Sequence, residues 1–473
     1  MADYQALLRE LPAVDRLLNE PAVVEVLQST SRRLVLQAVQ ETVNNYRQSI
    51  NTNRGDQEFL DNIDISPAGL AVEAADLARG KTRPSIRPVI NASGVVIHTN
   101  LGRSPLAPAA AEALTDIAVH YNNLEFNLDT GRRGSRQAHL EEIICDLTGA
   151  EAAAVFNNNA AAVFMVLNTL ASGRQVVVSR GELVEIGGSF RIPDIMASSG
   201  ASMVEVGTTN KTYRRDYESA INDTSAALLK VHTSNYQMIG FTASVSTAEM
   251  AELAHDRGLI MIEDLGSGVL IDPAKYGLPA EPRVQDSIAA GADLVTFSGD
   301  KMLGGPQAGI VIGRKDLIQS IKANQLARTM RVDKFTVAAL EATARLYYDE
   351  EKAVREIPVW RMLTASANYL QRRADNLAQR FGDIFGAENI TIIPGISRVG
   401  GGAMPNAELP TSLIAVRLSS GHGSPEQFAE KLRRGTPPVI LRLQQESLIF
   451  DPRTIFEEQE EALITALKKV LSG

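Results

Sequence analysis

The sequence predicts an α/β protein with a mostly parallel central sheet, a small helical N-terminal domain and a smaller α+β C-terminal domain. In the first 80 residues, leucine and valine recur at helical spacing. From residue 89 to about residue 330, short apolar runs alternate with helical segments, a pattern typical of a parallel sheet covered on both faces. After residue 335, a long helical region gives way to short apolar runs. We therefore expect domains at 1–80, 81–335 and 336–473.

The N-terminal domain is expected to consist of helices, with a loop at 51–57 and a last helix over Pro67–Arg79. A basic linker that contains proline, Gly80–Pro88, follows this helix. Through residue 90, ten basic residues stand against twelve acidic ones, so the charges nearly cancel. This balance favours an oligomerisation or packing role over RNA binding, unless the basic residues form a local cluster.

Apolar runs and helical periodicity predict the elements that follow. In the central domain, strands are expected at Ala152–Phe156, Gln175–Val178, Met203–Val206, Ala226–Val231 and Leu259–Ile262. Its helices are expected near Leu140–Leu147, Ala160–Leu170, Arg215–Ile221 and Ser246–Arg257. In the C-terminal domain, a helical region through Phe381 is expected to precede strands at Ile390–Ile393, Ser412–Val416 and Val439–Leu443 and a closing helix near Glu457–Leu471.

The composition indicates a globular protein, because 44% of its 473 residues are hydrophobic and 22% are charged. The net charge of −9 argues against binding of nucleic acid by the whole surface, although a local basic face remains compatible with it. A single cysteine, Cys145, excludes an internal disulfide and fits a reducing cytoplasm. No signal peptide is expected, and asparagines interrupt the uncharged stretch Ala152–Gly173, so no membrane span is expected.

The stretch around which the chain is organised is Ala292–Gly313, where two apolar runs flank a polar turn that ends in Lys301. Such a pattern predicts two buried strands joined by a tight connection. The pKa of a lysine at the edge of buried strands falls readily when the side chain is desolvated. A lowered pKa suits the lysine to Schiff-base chemistry with a carbonyl cofactor. A charged turn residue is the alternative for Lys301 taken alone.

A carboxylate is expected at the end of another strand. Asp264 follows the apolar run Leu259–Ile262, and Gly266 and Gly268 come next, which lets a ligand approach the backbone. A carboxylate in this place can hold the protonated pyridine nitrogen of pyridoxal phosphate. A capping or turn aspartate is the alternative interpretation.

Three asparagines, Asn157, Asn158 and Asn159, lie between a predicted strand and the helix after it. Helix N-termini bind anions, so a cofactor phosphate fits here, although simple helix capping explains each asparagine equally well. The asparagines, Asp264 and Lys301 each stand at the end of a predicted strand. This arrangement resembles a fold-type-I pyridoxal-phosphate enzyme with Lys301 as the Schiff-base lysine.

Three arginines are candidate anion ligands. Arg103 lies in a glycine-containing loop, and Arg328 and Arg331 follow the predicted sheet. The last two are three residues apart, so one helix face can present both. Arginine matches tetrahedral oxyanions well, but solvated surface arginines are the alternative.

Longer motifs closely resemble the bacterial selenocysteine synthases, the L-seryl-tRNA(Sec) selenium transferases. The resemblance covers essentially the whole chain. The motifs are RPVINASGVVIHTNLGRSPL (87–106), YNNLEFNLDTGRRGSR (121–136), ELVEIGGSFRIPDIM (182–196), SGDKMLGGPQAG (298–309) and PPVILRLQQESLIFDPRT (437–454).

This resemblance implies a pyridoxal-phosphate enzyme that converts seryl-tRNA(Sec) to selenocysteinyl-tRNA(Sec) through aminoacrylyl-tRNA, with selenium from selenophosphate. By motif position, Lys301 matches the cofactor lysine of the family and Asp300 the acidic residue before it. Arg103, Arg328 and Arg331 match arginines that hold the selenium donor. The resemblance also implies a homo-oligomeric ring of dimers, a decamer, whose N-terminal domains bind the tRNA.

Two questions stay open at the level of sequence. His232, after the strand Ala226–Val231, can stack on or bond the cofactor ring, or it can be a satisfied core histidine. The alternative function is that of a pyridoxal-phosphate lyase or aminotransferase acting on a small amino acid or a phosphorylated amino sugar. Such enzymes generally lack a long N-terminal domain.

Overall fold

The computed structural model describes residues 4–186, 190–419 and 421–472. Residues 187–189, which belong to the motif at 182–196, lie outside these ranges. The chain divides into two compact units, Met1–Pro88 and Val89–Gly473. The domain boundaries expected at residues 80 and 335 stay predictions.

The regular secondary structure of the first unit, within its described residues, consists of helices. Its helices are α1 (Tyr4–Glu10), α2 (Val14–Leu17), α3 (Pro21–Leu27), α4 (Arg32–Thr52), α5 (Gln57–Asn62) and α6 (Pro67–Thr82). Helix α6 begins where Pro67 occupies the first turn and the Ser66 side chain accepts a hydrogen bond from the Gly69 amide. It ends at Thr82, so the expected linker start at Gly80 is wrong by three residues.

A separate hydrophobic core holds this unit together. Fully buried apolar residues of α4 meet small residues of α6, where alanines allow a close approach. Leu17 and Leu70 are completely buried in the same cluster. The leucine and valine periodicity of the sequence therefore marks a real packing face.

The second unit contains all the strands of the described chain. They are β1 (Ile90–Asn91), β2 (Phe126–Asn127), β3 (Arg132–Arg133), β4 (Ala152–Phe156), β5 (Gln175–Ser179), β6 (Glu185–Ile186), β7 (Phe190–Arg191), β8 (Ser202–Val206), β9 (Ser225–Val231), β10 (Ile260–Gly266), β11 (Leu294–Ser298), β12 (Gly309–Gly313), β13 (Ile390–Arg398), β14 (Glu408–Arg417), β15 (Val439–Ile440), β16 (Arg442–Gln444) and β17 (Ser447–Phe450).

Seven strands form the central sheet in the order β4-β12-β11-β10-β9-β5-β8. Strand β12 runs antiparallel to both its neighbours, and every other pairing in the sheet is parallel. The predicted mostly parallel sheet is therefore confirmed. The carboxyl ends of β4, β9, β10 and β11 all lie at one edge of the sheet, the edge at which open α/β sheets bind ligands.

Helices occur throughout the second unit. They are α7 (Pro108–Val119), α8 (Ala138–Thr148), α9 (Asn159–Ala171), α10 (Ile192–Ser199), α11 (Arg214–Ala220), α12 (Thr247–Asp256), α13 (Val284–Ala289), α14 (Lys315–Ala323), α15 (Lys334–Leu346), α16 (Glu350–Glu356), α17 (Pro358–Leu363), α18 (Ala367–Phe385), α19 (Pro425–Arg434) and α20 (Glu460–Ser472). Short 3₁₀ turns lie at Thr99–Leu101, Arg180–Glu182, Pro273–Tyr276, Gln325–Arg328, Ala387–Asn389 and Glu457–Gln459.

The two faces of the sheet build two cores. Along β9 and β10, Leu228 and Met261 belong to one buried cluster, whereas their neighbours Leu229 and Ile262 belong to the other. Alternation along a strand sends successive side chains to opposite faces, so a strand buried on both faces appears as a continuous apolar run.

The C-terminal part contains a four-stranded antiparallel sheet, β13-β14-β17-β16. Helices α18, α19 and α20 contribute to its core, where the rings of Phe381 and Phe450 meet edge to face at 4.9 Å. The expected long helical region is four helices, α15 to α18, and Pro358 begins the third. Within the described ranges, no helix is long and apolar enough to cross a membrane.

Candidate active site

Lys301 lies three residues after β11, in the connection to β12, and only 5% of its surface is exposed. Burial is the main cause that lowers the pKa of Lys301 below the usual lysine range, and the nearby charge of Arg103 lowers it further. The carboxylate of Asp264 acts in the opposite direction. The site therefore favours an unprotonated amine, which is the nucleophilic form of lysine.

Asp264 lies inside β10, two residues before the strand ends, and is 3% exposed. Its Oδ1 accepts hydrogen bonds from Asn159 Nδ2 at 2.8 Å and from Thr296 Oγ1 at 2.9 Å. Burial raises the pKa of Asp264, while these two hydrogen bonds and the charge of Lys301 oppose the rise. The carboxylate is therefore fixed in orientation and electrostatically coupled to Lys301.

The three asparagines lie at the start of α9, as the sequence predicts, but each does something different. The Asn158 side chain caps the helix by accepting from the Ala161 amide at 2.9 Å. Asn159 binds Asp264. The Asn157 amide donates to the Met330 carbonyl at 3.0 Å. A phosphate at this helix start would meet backbone amides and the helix dipole.

Buried polar atoms without partners lie around Lys301 and provide a test of whether a cofactor fits. Among the described residues, Asn159 Oδ1, Ser234 Oγ and Ser267 Oγ are buried and have no hydrogen-bond partner. Gly266 has φ +65°, and a Cβ added to it would lie 3.8 Å from Lys301 Nζ. Buried polar groups are normally satisfied, so a polar ligand in front of Gly266 fits these residues.

An ion pair with Asp300 places Arg103 next to Lys301. Arg103 Nη1 donates to Asp300 Oδ2 at 2.7 Å, and the side chain of Asp300 is 9% exposed. Gly102 and Arg103 both have positive φ, 88° and 62°, and the Arg103 amide donates back to the His98 carbonyl. The loop before α7 is thus bent sharply at the point where it presents the guanidinium group.

Arg328 and Arg331 line a different cavity of about 400 Å³. Its other charged lining residues are Glu125, Arg133, Arg136 and Lys322. Arg331 Nη1 lies 3.6 Å from Glu125 Oε1, and Arg136 binds the same carboxylate at 2.5 Å and 3.1 Å. Positive charge therefore dominates this cavity, which suits it to an anion.

The expectation that one helix face presents both arginines is wrong. Arg328 ends a 3₁₀ turn, whereas Arg331 forms an isolated antiparallel bridge with Phe156, the last residue of β4. Lys301, Asp264 and Arg103 are not among the residues that line this cavity. Within one described chain, the three arginines therefore form two separate groups.

His232 follows β9, and its backbone amide donates to the Asp264 carbonyl at 2.9 Å. Its ring Nε2 lies 3.0 Å from Glu281 Oε1. The ring thus has a fixed partner, and its positive form would help to stabilise the Asp264 carboxylate.

Sequence reasoning missed several residues of the site. Thr296 binds Asp264 because the two are register partners on β11 and β10. Glu281 and Ser234 come from loops that carry no motif. The register of the strands brings Thr296 to Asp264, and the course of the loops brings in Glu281 and Ser234; the sequence shows neither.

A buried lysine beside a buried aspartate, at the carboxyl edge of this sheet, defines the protein as a fold-type-I pyridoxal-phosphate enzyme. A solved D-glucosaminate-6-phosphate ammonia-lyase has a similar fold, with a TM-score of 0.56 and 24% identity; the match covers 82% of this chain and 96% of that one.

The sequence comparisons are more specific. A family model described as L-seryl-tRNA selenium transferase matches residues 89–456, and one described as selenocysteine synthase N terminal matches residues 8–47. The L-seryl-tRNA(Sec) selenium transferase of Solidesulfovibrio magneticus is 50% identical, over 98% of both chains. That of Clostridium botulinum strain Okra is 46% identical, over 99% of this chain and 100% of its own. This chain therefore belongs to the L-seryl-tRNA selenium transferase family.

Proposed function

We propose that this protein converts L-seryl-tRNA(Sec) to L-selenocysteinyl-tRNA(Sec), with selenophosphate as the selenium donor. The observation that carries the proposal is the buried pair of Lys301 and Asp264 in a chain that resembles these transferases over 98% of its length. The reaction exchanges the seryl hydroxyl for a selenol, and inorganic phosphate leaves. The lyase alternative is less favoured, because the N-terminal match at residues 8–47 has no role in it.

Lys301 and Asp264 have complementary tasks in this proposal. Bound pyridoxal phosphate supplies an electron sink for the electrons of a broken Cα–H bond. Lys301 Nζ holds the cofactor and then accepts the Cα proton of the seryl group, for which its lowered pKa is favourable. Asp264 keeps a positive charge on the pyridine nitrogen. Asn159 and Thr296 hold the carboxylate in place for this task.

The arginines are proposed to bind the selenium donor. Arg103 is fixed by Asp300 beside Lys301, where the selenium must reach the seryl Cβ. We assign Arg328 and Arg331, in their cationic cavity, to the phosphate part of the donor. Asp300 acts by holding Arg103 and by supplying negative charge next to the amine of Lys301. His232 is assigned to the cofactor site because it lies beside Asp264.

The helical unit is proposed to bind the tRNA. Within the described residues, Arg79 forms ion pairs with Glu25 and Asp76, and Lys81 forms one with Glu41. Arg32 and Arg33 are exposed in the first turn of α4 and form no ion pair within the described chain. As two adjacent exposed arginines, they are the residues that we assign to tRNA phosphates.

A ring of dimers, a decamer, is the proposed assembly. Two observations support an oligomer. Lys301 is not among the residues that line the cavity of Arg328 and Arg331. Ile239 and Phe241 are 88% and 89% exposed, which is unusual for large apolar side chains unless another surface covers them. The mass of the purified particle in light scattering tests this assembly.

The central experiment incubates the cofactor-loaded protein with seryl-tRNA(Sec) and selenophosphate and measures selenocysteine released from the tRNA by mass spectrometry. Selenocysteine is expected with the wild type and not with Lys301→Ala. A serine tRNA charged with the same amino acid is the matched control for tRNA recognition. Deamination of free serine or of an amino sugar, without any selenocysteine product, would instead support the lyase alternative.

A further inference from the structure

Ser234 is a buried hydroxyl whose position in the site has no explanation in the fold. It lies three residues after β9, is 1% exposed, and its Oγ has no hydrogen-bond partner among the described residues. A buried hydroxyl without a partner destabilises the folded chain, so a small apolar residue would serve better if the position were structural. The hydroxyl group therefore points to a ligand.

The space that Ser234 borders is the space next to the reactive amine. A Cβ placed on Gly266 would lie 3.9 Å from Ser234 Oγ and 3.8 Å from Lys301 Nζ. Both polar atoms thus border the same opening above a glycine that has no side chain to fill it. A group bound to Nζ would therefore occupy an opening that Ser234 Oγ also borders.

The sheet order indicates which substituent this is. The aldehyde carbon of pyridoxal phosphate has the phenolic oxygen on one side and the phosphate arm on the other. The phosphate candidate, the start of α9, follows β4, whereas Ser234 follows β9. These strands lie on opposite sides of β10 and β11 in the sheet. Ser234 is therefore on the side opposite the proposed phosphate site.

We propose that Ser234 is a further cofactor-binding residue, whose hydroxyl donates a hydrogen bond to the phenolic oxygen of pyridoxal phosphate. A donor at this oxygen favours its negatively charged form and so lowers the pH at which the bound chromophore loses its proton. This inference rests on the proposed role of Lys301, but it does not depend on the tRNA substrate.

The test compares Ser234→Ala and Ser234→Cys with the wild type by pH titration of the visible absorption band of the cofactor-loaded protein. The midpoint in Ser234→Ala should rise by about one pH unit, which is a tenfold change in proton affinity. The midpoint in Ser234→Cys should lie between those of the wild type and Ser234→Ala, because a thiol is a weaker donor than a hydroxyl. An unchanged midpoint, with the borohydride-reduced cofactor still on Lys301, would overturn the role of Ser234 alone. Reduced cofactor on a different lysine would overturn the assignment of Lys301.

Thermal unfolding separates a ligand contact from a structural role. In the cofactor-free protein, Ser234→Ala should unfold at the wild-type temperature or above, because it removes an unpaired buried hydroxyl. The rise in unfolding temperature on adding pyridoxal phosphate should be smaller than in the wild type. Thr42 in α4 also has a buried, unpartnered hydroxyl, so Thr42→Val is the matched control and should keep the full cofactor-induced rise. An equal loss of stability with and without cofactor in Ser234→Ala would assign the hydroxyl to structure and overturn the proposal.

Discussion

Arg103 and Asp300 are 197 residues apart in the chain, and their side chains form an ion pair of 2.7 Å directly beside Lys301. The pair connects the bent loop before α7 to the end of β11. It also sets two opposite charges near the same amine, because Arg103 lowers the pKa of Lys301 and Asp300 raises it. Two segments that are far apart in the sequence thus set part of the charge around this amine.

The pH dependence of cofactor capture tests this control. Burial and Arg103 lower the pKa of Lys301, so the cofactor-free protein should capture pyridoxal phosphate with a midpoint below about 10.4, the usual lysine value. Arg103→Met removes the positive charge and leaves Asp300 unpaired. Both changes raise the pKa of Lys301, so the midpoint should move to higher pH in stopped-flow measurements. Arg355→Met, an exposed arginine on α16, is the control and should leave the midpoint in place.

Lys301 itself is tested by chemical trapping. The purified protein should be yellow, and borohydride should fix the cofactor on Lys301. Lys301→Ala should lose both the visible band and all turnover, because no other buried lysine lies at this sheet edge in the described chain. Peptide mapping by mass spectrometry locates the adduct, and an adduct on another lysine would contradict the assignment.

Asp264→Asn should bind cofactor but exchange the substrate Cα proton slowly. A neutral amide keeps hydrogen-bonding capacity yet cannot hold the pyridine nitrogen protonated, so the electron sink is weakened. The cofactor-free variant should also gain stability relative to the wild type as the pH rises. The reason is that burial raises the pKa of Asp264, so the folded state loses stability when this carboxyl ionises. Solvent-isotope exchange at Cα and denaturant unfolding at several pH values measure the two effects; wild-type exchange would exclude the catalytic role.

The sequence predicts the local features of this site well and its long-range contacts poorly. Strand β4 and the starts of β11 and α9 follow from local apolar runs and from capping asparagines, so the strand ends that carry Lys301 and the asparagines could be predicted. The pairing of Arg331 with Glu125, by contrast, joins two segments that are far apart in the sequence. No spacing in the sequence records that contact. The expectation of a shared helix face for Arg328 and Arg331 failed because the 3₁₀ turn ends at Arg328 and Arg331 forms a bridge with Phe156 at the end of β4.

Arg328 should affect donor binding and leave the earlier steps intact. In Arg328→Ala, the concentration of selenophosphate required for half-maximal turnover should rise about tenfold to a hundredfold, which matches the loss of a charge-assisted contact of roughly 1.5–3 kcal/mol. Loss of the substrate Cα proton without donor should remain at the wild-type rate. Arg345→Ala, on the exposed face of α15, controls for general loss of positive charge. A wild-type dependence on selenophosphate concentration in Arg328→Ala would contradict the assignment of Arg328 to the donor site.

The helical unit offers a test that separates a tRNA enzyme from a small-substrate enzyme. The unit as a whole carries nearly balanced charge, so binding of a polyanion must depend on a few basic residues. Arg32 and Arg33 are exposed and form no ion pair within the described chain, whereas Arg79 is held by Glu25 and Asp76. The double variant Arg32→Gln/Arg33→Gln should therefore bind tRNA(Sec) more weakly, and its affinity should depend less steeply on salt.

Filter-binding titrations over a range of salt concentrations measure both quantities. Loss of two phosphate contacts should reduce the slope of log affinity against log salt by about two. Arg79→Gln is the matched control: it removes one arginine that is already neutralised, so affinity and slope should change little. Cofactor absorption should be identical in all three proteins, because the residues around Lys301 all lie in the second unit. An unchanged salt slope in the double variant would show that the tRNA is bound elsewhere, while the chemistry at Lys301 would stand.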